Sequence, residues 1–465
     1  MSIPNHLEEM IAQQVNEPIA LSKLWEHRKE FLELPDAVIQ KYPGAAICVA
    51  KILFMEGRLA EAEKYMKLVS QTPLLCDYIQ LVSPSLPRYG FHRVVSRLVK
   101  ASEQGQTFPK LILTAGRPSV LNGFRDFTEY GRYLKRYKEP IVQSIRALYG
   151  DAATGVYEIA LAEHLYWKNE CFESLVLVVG TIPFMENRKD VRCLFAALTL
   201  EIFVLIANGQ AASVVPLIAN MRQKLLQYGS EELEHNLQAL EVWAAMYDGH
   251  TEQINQWMKE AAPDEHGNFN MLDTFRYMIK LRCYLIQGKH MALLSLAEKL
   301  RRLLKQGRRV MDLCELSMIQ AMSLHEQGRN QEAFDLLEQV LHIAEKYQYD
   351  RLLGDEGSRM YRLLYDYRRE RGNFPYLCRV MEFARKAGLL YPHYLKVHYG
   401  TIEKLSGMER DVLKLMAEEK SNQEIGEYLD ISLNTVKFHS KNIYKKLSVA
   451  SRGQAVKRAR EVGVL

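Results

Sequence analysis

Lys437, Phe438, Lys441 and Lys445 recur at the spacing of one helical face. At about 100° per residue they fall, with Asn434, on the side opposite Val436, Ser440, Ile443 and Leu447. One side is suited to a core, and the other is cationic with a single aromatic. From Leu433 to Arg460 the sequence has eight Lys and Arg and no Asp or Glu. An ammonium group donates hydrogen bonds and accepts none, so a row of them suits a surface rich in acceptors. Double-stranded DNA offers two: the phosphate backbone, and the guanine edge in the major groove. The plainer reading, a solvated basic face, suits an isolated lysine stripe. Here the stripe lies on the second helix of a tight helix-turn-helix pair.

The elements that must position this face announce themselves by their caps. Ser406 with Glu409, Ser421 with Glu424, and Ser451 with Gln454 each have the spacing of a capping box. In that arrangement each side chain satisfies a backbone donor that the helix start leaves orphaned. Ser432 supplies a fourth start before Leu433. Four short helices separated by tight turns over 405–465 predict a small helix-turn-helix module.

At these residues the sequence resembles the LuxR-type (NarL- or FixJ-type) DNA-binding domain. The resemblance runs from Leu405 to Val456 through S-N-Q-E-I-G-E-Y-L, I-S-L-N-T-V-K-F-H and K-K-L-S-V-A-S-R-G-Q-A-V. It implies a third helix in the major groove and a fourth that pairs two domains. By position it implies base contacts for Lys437, Phe438 and Lys441. It implies DNA-backbone contacts for Asn422, Asn434, Thr435, Lys445 and Arg452. Gly407 stands where proline is usual, Glu419 where glycine is usual, and Leu433 where an acid is common.

The other 400 residues are nearly neutral, although the whole chain of 465 carries a formal +5. Attraction to nucleic acid is therefore local. Six turn markers recur ahead of residue 385: Asn169, Gly209, Gly249, Gly288, Gly328 and Gly372. Their intervals are 40, 40, 39, 40 and 44 residues, and each marker separates two apolar-periodic helices. Such a period predicts an α-solenoid of helical hairpins that bury one another's faces. The stretches G-R-L-A-E-A-E and G-R-N-Q-E-A-F are similar to tetratricopeptide repeats. With the C-terminal module they make the chain resemble the helical-repeat part of the MalT-like LuxR regulators. The expected fold is all-α: one elongated solenoid over 1–390, irregular at 72–150, then a linker at 391–404 and the DNA-binding module at 405–465. Within the irregular part, the Gly/Arg-rich loop with Ser119 and Asn122 reads as a structural turn ahead of an anion site. Trp167, Phe203, Trp243, Trp257, Phe275 and Tyr277 read as core ahead of a ligand groove.

Several chemistries lack their residues. H-E-x-x-H, G-x-S-x-G, G-x-G-x-x-G and the phosphate-cradling G-x-x-x-x-G-K-[ST] do not occur. The repeats begin almost at Met1, where MalT-like regulators usually carry an ATP-binding domain. His164, His235, His325 and the pair His393/His398 have no metal-ligand spacing, and the seven cysteines form no C-x-x-C. The N-terminus has no signal-peptide pattern, and no apolar run spans a membrane. The sequence therefore predicts a cytoplasmic, non-enzymatic transcriptional regulator without cofactor, metal or membrane contact. Its expected partners are double-stranded DNA, a second copy of the chain, RNA polymerase, and an effector. The effector is read as a small molecule or peptide on the solenoid; the alternative is a partner protein docked there.

Overall fold

A computed structural model describes residues 3–16, 20–84, 86, 88–109, 111–150, 155–267, 269–396, 405–447, 449 and 451–461. These form two compact units, Met1–Lys396 and Val397–Leu465. Among the described residues there is no strand; an isolated bridge pairs Asn122 with Asp126.

The first unit begins with eight helices: α1 (Asn5–Asn16), α2 (Leu21–Glu26), α3 (Arg28–Leu32), α4 (Asp36–Lys41), α5 (Pro43–Met55), α6 (Leu59–Leu68), α7 (Pro73–Val82) and α8 (Arg88–Glu103). Apart from Lys51, α5 is apolar from Gly44 to Met55 and buried throughout, so α1, α3 and α6 can pack around it. α9 (Lys138–Tyr149) follows an irregular stretch. The repeats are α10 (Val156–Trp167), α11 (Cys171–Arg188), α12 (Val191–Ala207), α13 (Val214–Gln227), α14 (Glu234–Asp248), α15 (Thr251–Glu260), α16 (Thr274–Ile286), α17 (His290–Gln306), α18 (Val310–Glu326), α19 (Asn330–Tyr347), α20 (Asp350–Gly354), α21 (Gly357–Arg371) and α22 (Pro375–Leu390).

The repeat helices divide by burial. α12, α16 and α18 are buried nearly all round, whereas α13, α17 and α19 bury one stripe. On α19 the stripe is Ala333, Phe334, Leu337, Val340, Leu341 and Ala344, the 3.6-residue period of a helix with one wet face. The first kind lies inside the curve, the second on its outer surface. All six turn markers have positive φ, from 65° at Asn169 to 97° at Gly372.

The solenoid is not elongated. Tyr166 on α10 donates its hydroxyl to Asp355 at 2.5 Å, and Arg351 on α20 donates to Asn169 Oδ1 at 3.1 Å. The curve thus brings the first repeat back onto the last. The irregular part is also shorter than 72–150, because α7, α8 and α9 occupy much of it. What remains is a strap, residues 111–134, laid against the inner helices. A buried loop must find partners for its backbone, and here side chains supply them. Glu163 accepts from the Val120 and Leu121 amides at 2.7 and 3.0 Å. Arg309 donates to the carbonyls of Asn122, Gly123 and Phe124 at 2.9, 2.6 and 3.2 Å. A Cβ on Gly123 would stand 1.8 Å from the Leu113 carbonyl oxygen, so only glycine fits.

The strap answers two sequence readings. Arg117 is paired with Asp312 and Glu315 at 2.5 Å each, Ser119 donates to Glu163, and Asn122 donates to Asp312. The Gly/Arg-rich loop spends these donors on carboxylates, as a structural turn does and an anion site would not. Trp243, Trp257, Phe275 and Tyr277 are core residues. Trp167, Phe203 and Phe275 line only a small cavity of about 40 Å³ beneath the strap. At the far end, Tyr391, Tyr394 and Leu395 are buried in the repeat core, and Tyr394 stacks on Tyr247 with ring centroids 4.1 Å apart. The first unit therefore continues past 390, into the segment read as a linker; residues 397–404 of that segment lie outside the described residues.

Candidate nucleic-acid interface

The second unit consists of α23 (Gly407–Ala417), α24 (Asn422–Leu429), α25 (Leu433–Lys446) and α26 (Arg452–Glu461). Both halves of the first two capping boxes are made. Glu409 N donates to Ser406 Oγ at 3.2 Å and Ser406 N to Glu409 Oε2 at 2.7 Å. Glu424 N donates to Ser421 Oγ at 3.2 Å and Ser421 N to Glu424 Oε2 at 2.6 Å. Ser432 Oγ accepts from Thr435 N at 3.1 Å, and Ser451 Oγ from Gln454 N at 3.4 Å. Each cap is worth about 1 kcal/mol, which fixes where the short helices start.

The turn between α24 and α25 is equally determined. Asp430 takes the left-handed conformation at φ 50°, and the Ile431 amide returns to the Gly426 carbonyl at 2.9 Å. A Cβ on Gly426 would meet the Ile431 carbonyl oxygen at 2.8 Å, so the close approach of turn and helix calls for glycine. Glu419, where the resembling family has glycine, carries φ 61°.

Val436 and Ile443 are wholly buried, Leu447 nearly so, against Val412, Leu413, Met416 and Ile425. Ser440 stays on this buried side by donating its hydroxyl to the Val436 carbonyl at 2.7 Å. The opposite side is open. Phe438 is 61% exposed, and Asn434, Lys437, Lys441 and Lys445 are exposed with it. Among the described residues no acid pairs with these three lysines. Thr435 is half-buried in the first turn of α25, and Asn422 half-buried in the first turn of α24. Helix N-termini present free amides and the positive end of the dipole, the electrostatics that suit a phosphate.

Arg452 makes contacts within the domain itself. It is half-buried, and its Nη2 donates to the carbonyls of Met416, at 3.1 Å, and Lys420. The Met416 carbonyl lies in the last turn of α23 and the Lys420 carbonyl in the turn that follows, so this nitrogen holds the α23–α24 turn. Two further residues escaped the sequence reading. Lys446 reaches Glu409 Oε2 at 2.7 Å. Burial would raise the Glu409 carboxyl, but Lys446 and the Ser406 donors outweigh it and hold the group below its ordinary range. Tyr428 is 75% exposed on α24, a polar-tipped aromatic with no role in the domain's own core. The capping pattern could have flagged Glu409 as doubly used; nothing in the pattern distinguishes Lys446 from Lys445.

Residues 403–459 match the luxR family of bacterial regulatory proteins, and residues 151–370 match the MalT-like TPR region. The chain carries a LuxR-type DNA-binding domain behind a MalT-like repeat region. Curated relatives match this chain over short stretches of 53 to 66 residues. The transcriptional regulatory protein LiaR of Bacillus subtilis is 51% identical over 53 residues, 11% of this chain and 25% of LiaR. The nitrate/nitrite response regulator NarL of Escherichia coli K12 is 43% identical over 54 residues, 12% of this chain and 25% of its own length. The uncharacterized response regulatory protein YgeK of the same strain is 39% identical over 66 residues, 14% and 45% of the respective chains. The chain thus spans less than half the length of the curated relatives it matches. No helix of the described residues is long and apolar enough to cross a membrane.

Proposed function

We propose that the protein is a sequence-specific, non-enzymatic transcriptional regulator that reads operator DNA with α25. Lys437, Phe438 and Lys441 contact base edges in the major groove. Asn422, Asn434, Thr435 and Lys445 contact the DNA backbone, and Arg452 holds the turn behind them. The observation that carries this reading is the division of α25: three lysines with no acid partner among the described residues and an exposed aromatic on one side, Val436, Ile443 and Leu447 in the core on the other. Two copies bind adjacent half-sites, and the bound regulator engages RNA polymerase. The test is selection from random double-stranded DNA by the full chain, followed by salt titration on the winning sequence. A recovered consensus with a steep salt dependence supports the proposal. Equal retention of all sequences counts against it.

The repeat region then receives the signal, as a sensor of a small molecule or peptide. The strap already occupies the inner face of the repeats, so a ligand there must displace or share it. A second reading, control by a partner protein, is favoured by the outer surface. Phe172, Val176, Val179 and Phe184 lie exposed along α11, at 75%, 57%, 52% and 54%. Their spacing puts most of this apolar area in one stripe, the kind of patch that marks protein contact.

A further inference from the structure

His6, His27 and Glu30 come together at one corner of the first unit, from α1 and from the start of α3. His6 stands on α1, His27 at the junction of α2 and α3, and Glu30 on α3. Glu30 accepts from His6 Nε2 at 2.8 Å through one oxygen and from His27 Nδ1 at 2.7 Å through the other. The two imidazole rings lie 5.2 Å apart. α1 and α3 both pack on the buried α5, through Leu7, Met10, Ile11 and Phe31, so the backbones beneath the three side chains are fixed.

From this convergence we propose that His6, His27 and Glu30 form a binding site for a divalent transition-metal ion of the zinc class. One ligand atom from each residue already lies within 4.8 Å of the other two. In a tetrahedral zinc site with bonds of about 2.1 Å, neighbouring ligand atoms are about 3.4 Å apart. Closing that gap takes only small rotations of side chains that remain 49%, 31% and 44% exposed for His6, His27 and Glu30. The same exposure leaves the fourth position to water. Two imidazoles and one carboxylate select Zn²⁺ or Ni²⁺ over Mg²⁺ and Ca²⁺, which prefer all-oxygen shells. The bland account is a carboxylate bridging two histidines. It explains the two hydrogen bonds, but it predicts no preference between metals. A bound ion would staple α1 to the α2–α3 segment.

The test is calorimetry of the full chain, purified without a polyhistidine tag, titrated with ZnCl₂ and separately with MgCl₂. The expected result is a saturable zinc site that His6→Ala, His27→Ala and Glu30→Gln each weaken at least tenfold. Zinc should also raise the melting temperature of the unaltered chain and not of the variants. The three side chains are exposed enough that the variants should keep the same circular dichroism spectrum. Zinc affinity unchanged in all three variants, equal binding of magnesium, or no saturable binding would each overturn the proposal.

Discussion

Lys446 Nζ lies 2.7 Å from Glu409 Oε2, and that same carboxylate oxygen accepts the Ser406 amide that opens α23. One carboxylate therefore both starts α23 and ties it to the end of α25. Glu409→Gln should cost the second unit about 1–3 kcal/mol, the range for a hydrogen bond to a charged group. The sign with pH follows from the lowered carboxyl. A depressed folded pKa adds stability that is present above the unfolded value, near 4.5, and lost as pH falls through the folded value. Thermal melts of the full chain from pH 7 to pH 3 should show the C-terminal transition dropping below about pH 4.5. The glutamine variant should lose this component of the drop.

Arg309 is 1% exposed and holds three strap carbonyls together with Asp312. Arg309→Met would leave Asp312 and those carbonyls buried with fewer partners. The expected loss is about 3–5 kcal/mol, as for breaking a buried pair from one side. Limited proteolysis should then cut first within 111–134. A variant that melts normally and resists cleavage there would show that the strap is held by other contacts.

Gly328 has φ +75° with nothing within 4 Å of an added Cβ, so any cost of substitution is backbone strain alone. Gly328→Val should destabilise by more than about 1 kcal/mol, because a β-branched residue resists the left-handed region. Denaturant unfolding of the full chain checks it. An unchanged midpoint would mean that the turn relaxes at no cost.

Much of this was legible in the sequence, for reasons that are local. A turn marker followed by a fresh apolar period needs only a few residues to be read, and Asn169 through Gly372 were all placed by spacing alone. The capping serines and the two faces of α25 are equally local. What the sequence concealed depends on distant pairs. The return of Tyr166 onto Asp355, the strap's place under Arg309, and the Lys446–Glu409 tie join residues 37 to 189 positions apart. Composition carries no trace of such pairings. The internal contact of Arg452 is hidden for a related reason. Its position in the family pattern points to phosphate and says nothing of the Met416 and Lys420 carbonyls that its Nη2 reaches. In the His6–His27–Glu30 corner only the i,i+3 pair His27 and Glu30 is local, and His6 lies 24 positions from Glu30, so spacing does not reveal the cluster.

The central claim is that α25 reads DNA through Lys437 and Lys441. Its most direct measurement is the affinity of the full chain, Lys437→Ala and Lys441→Ala for the selected operator and for random DNA, over a salt series, with melting temperatures alongside. The account predicts unchanged melting, because both side chains are exposed. It also predicts a loss of about 1–3 kcal/mol on the operator for each lysine that contacts a base edge, with a smaller loss on random DNA. Equal losses on both DNAs, with the salt slope lowered by about one, would reduce the lysines to phosphate contacts. Early melting with operator preference intact would contradict the account outright, because it would place the lysines in the core and the apolar side against DNA.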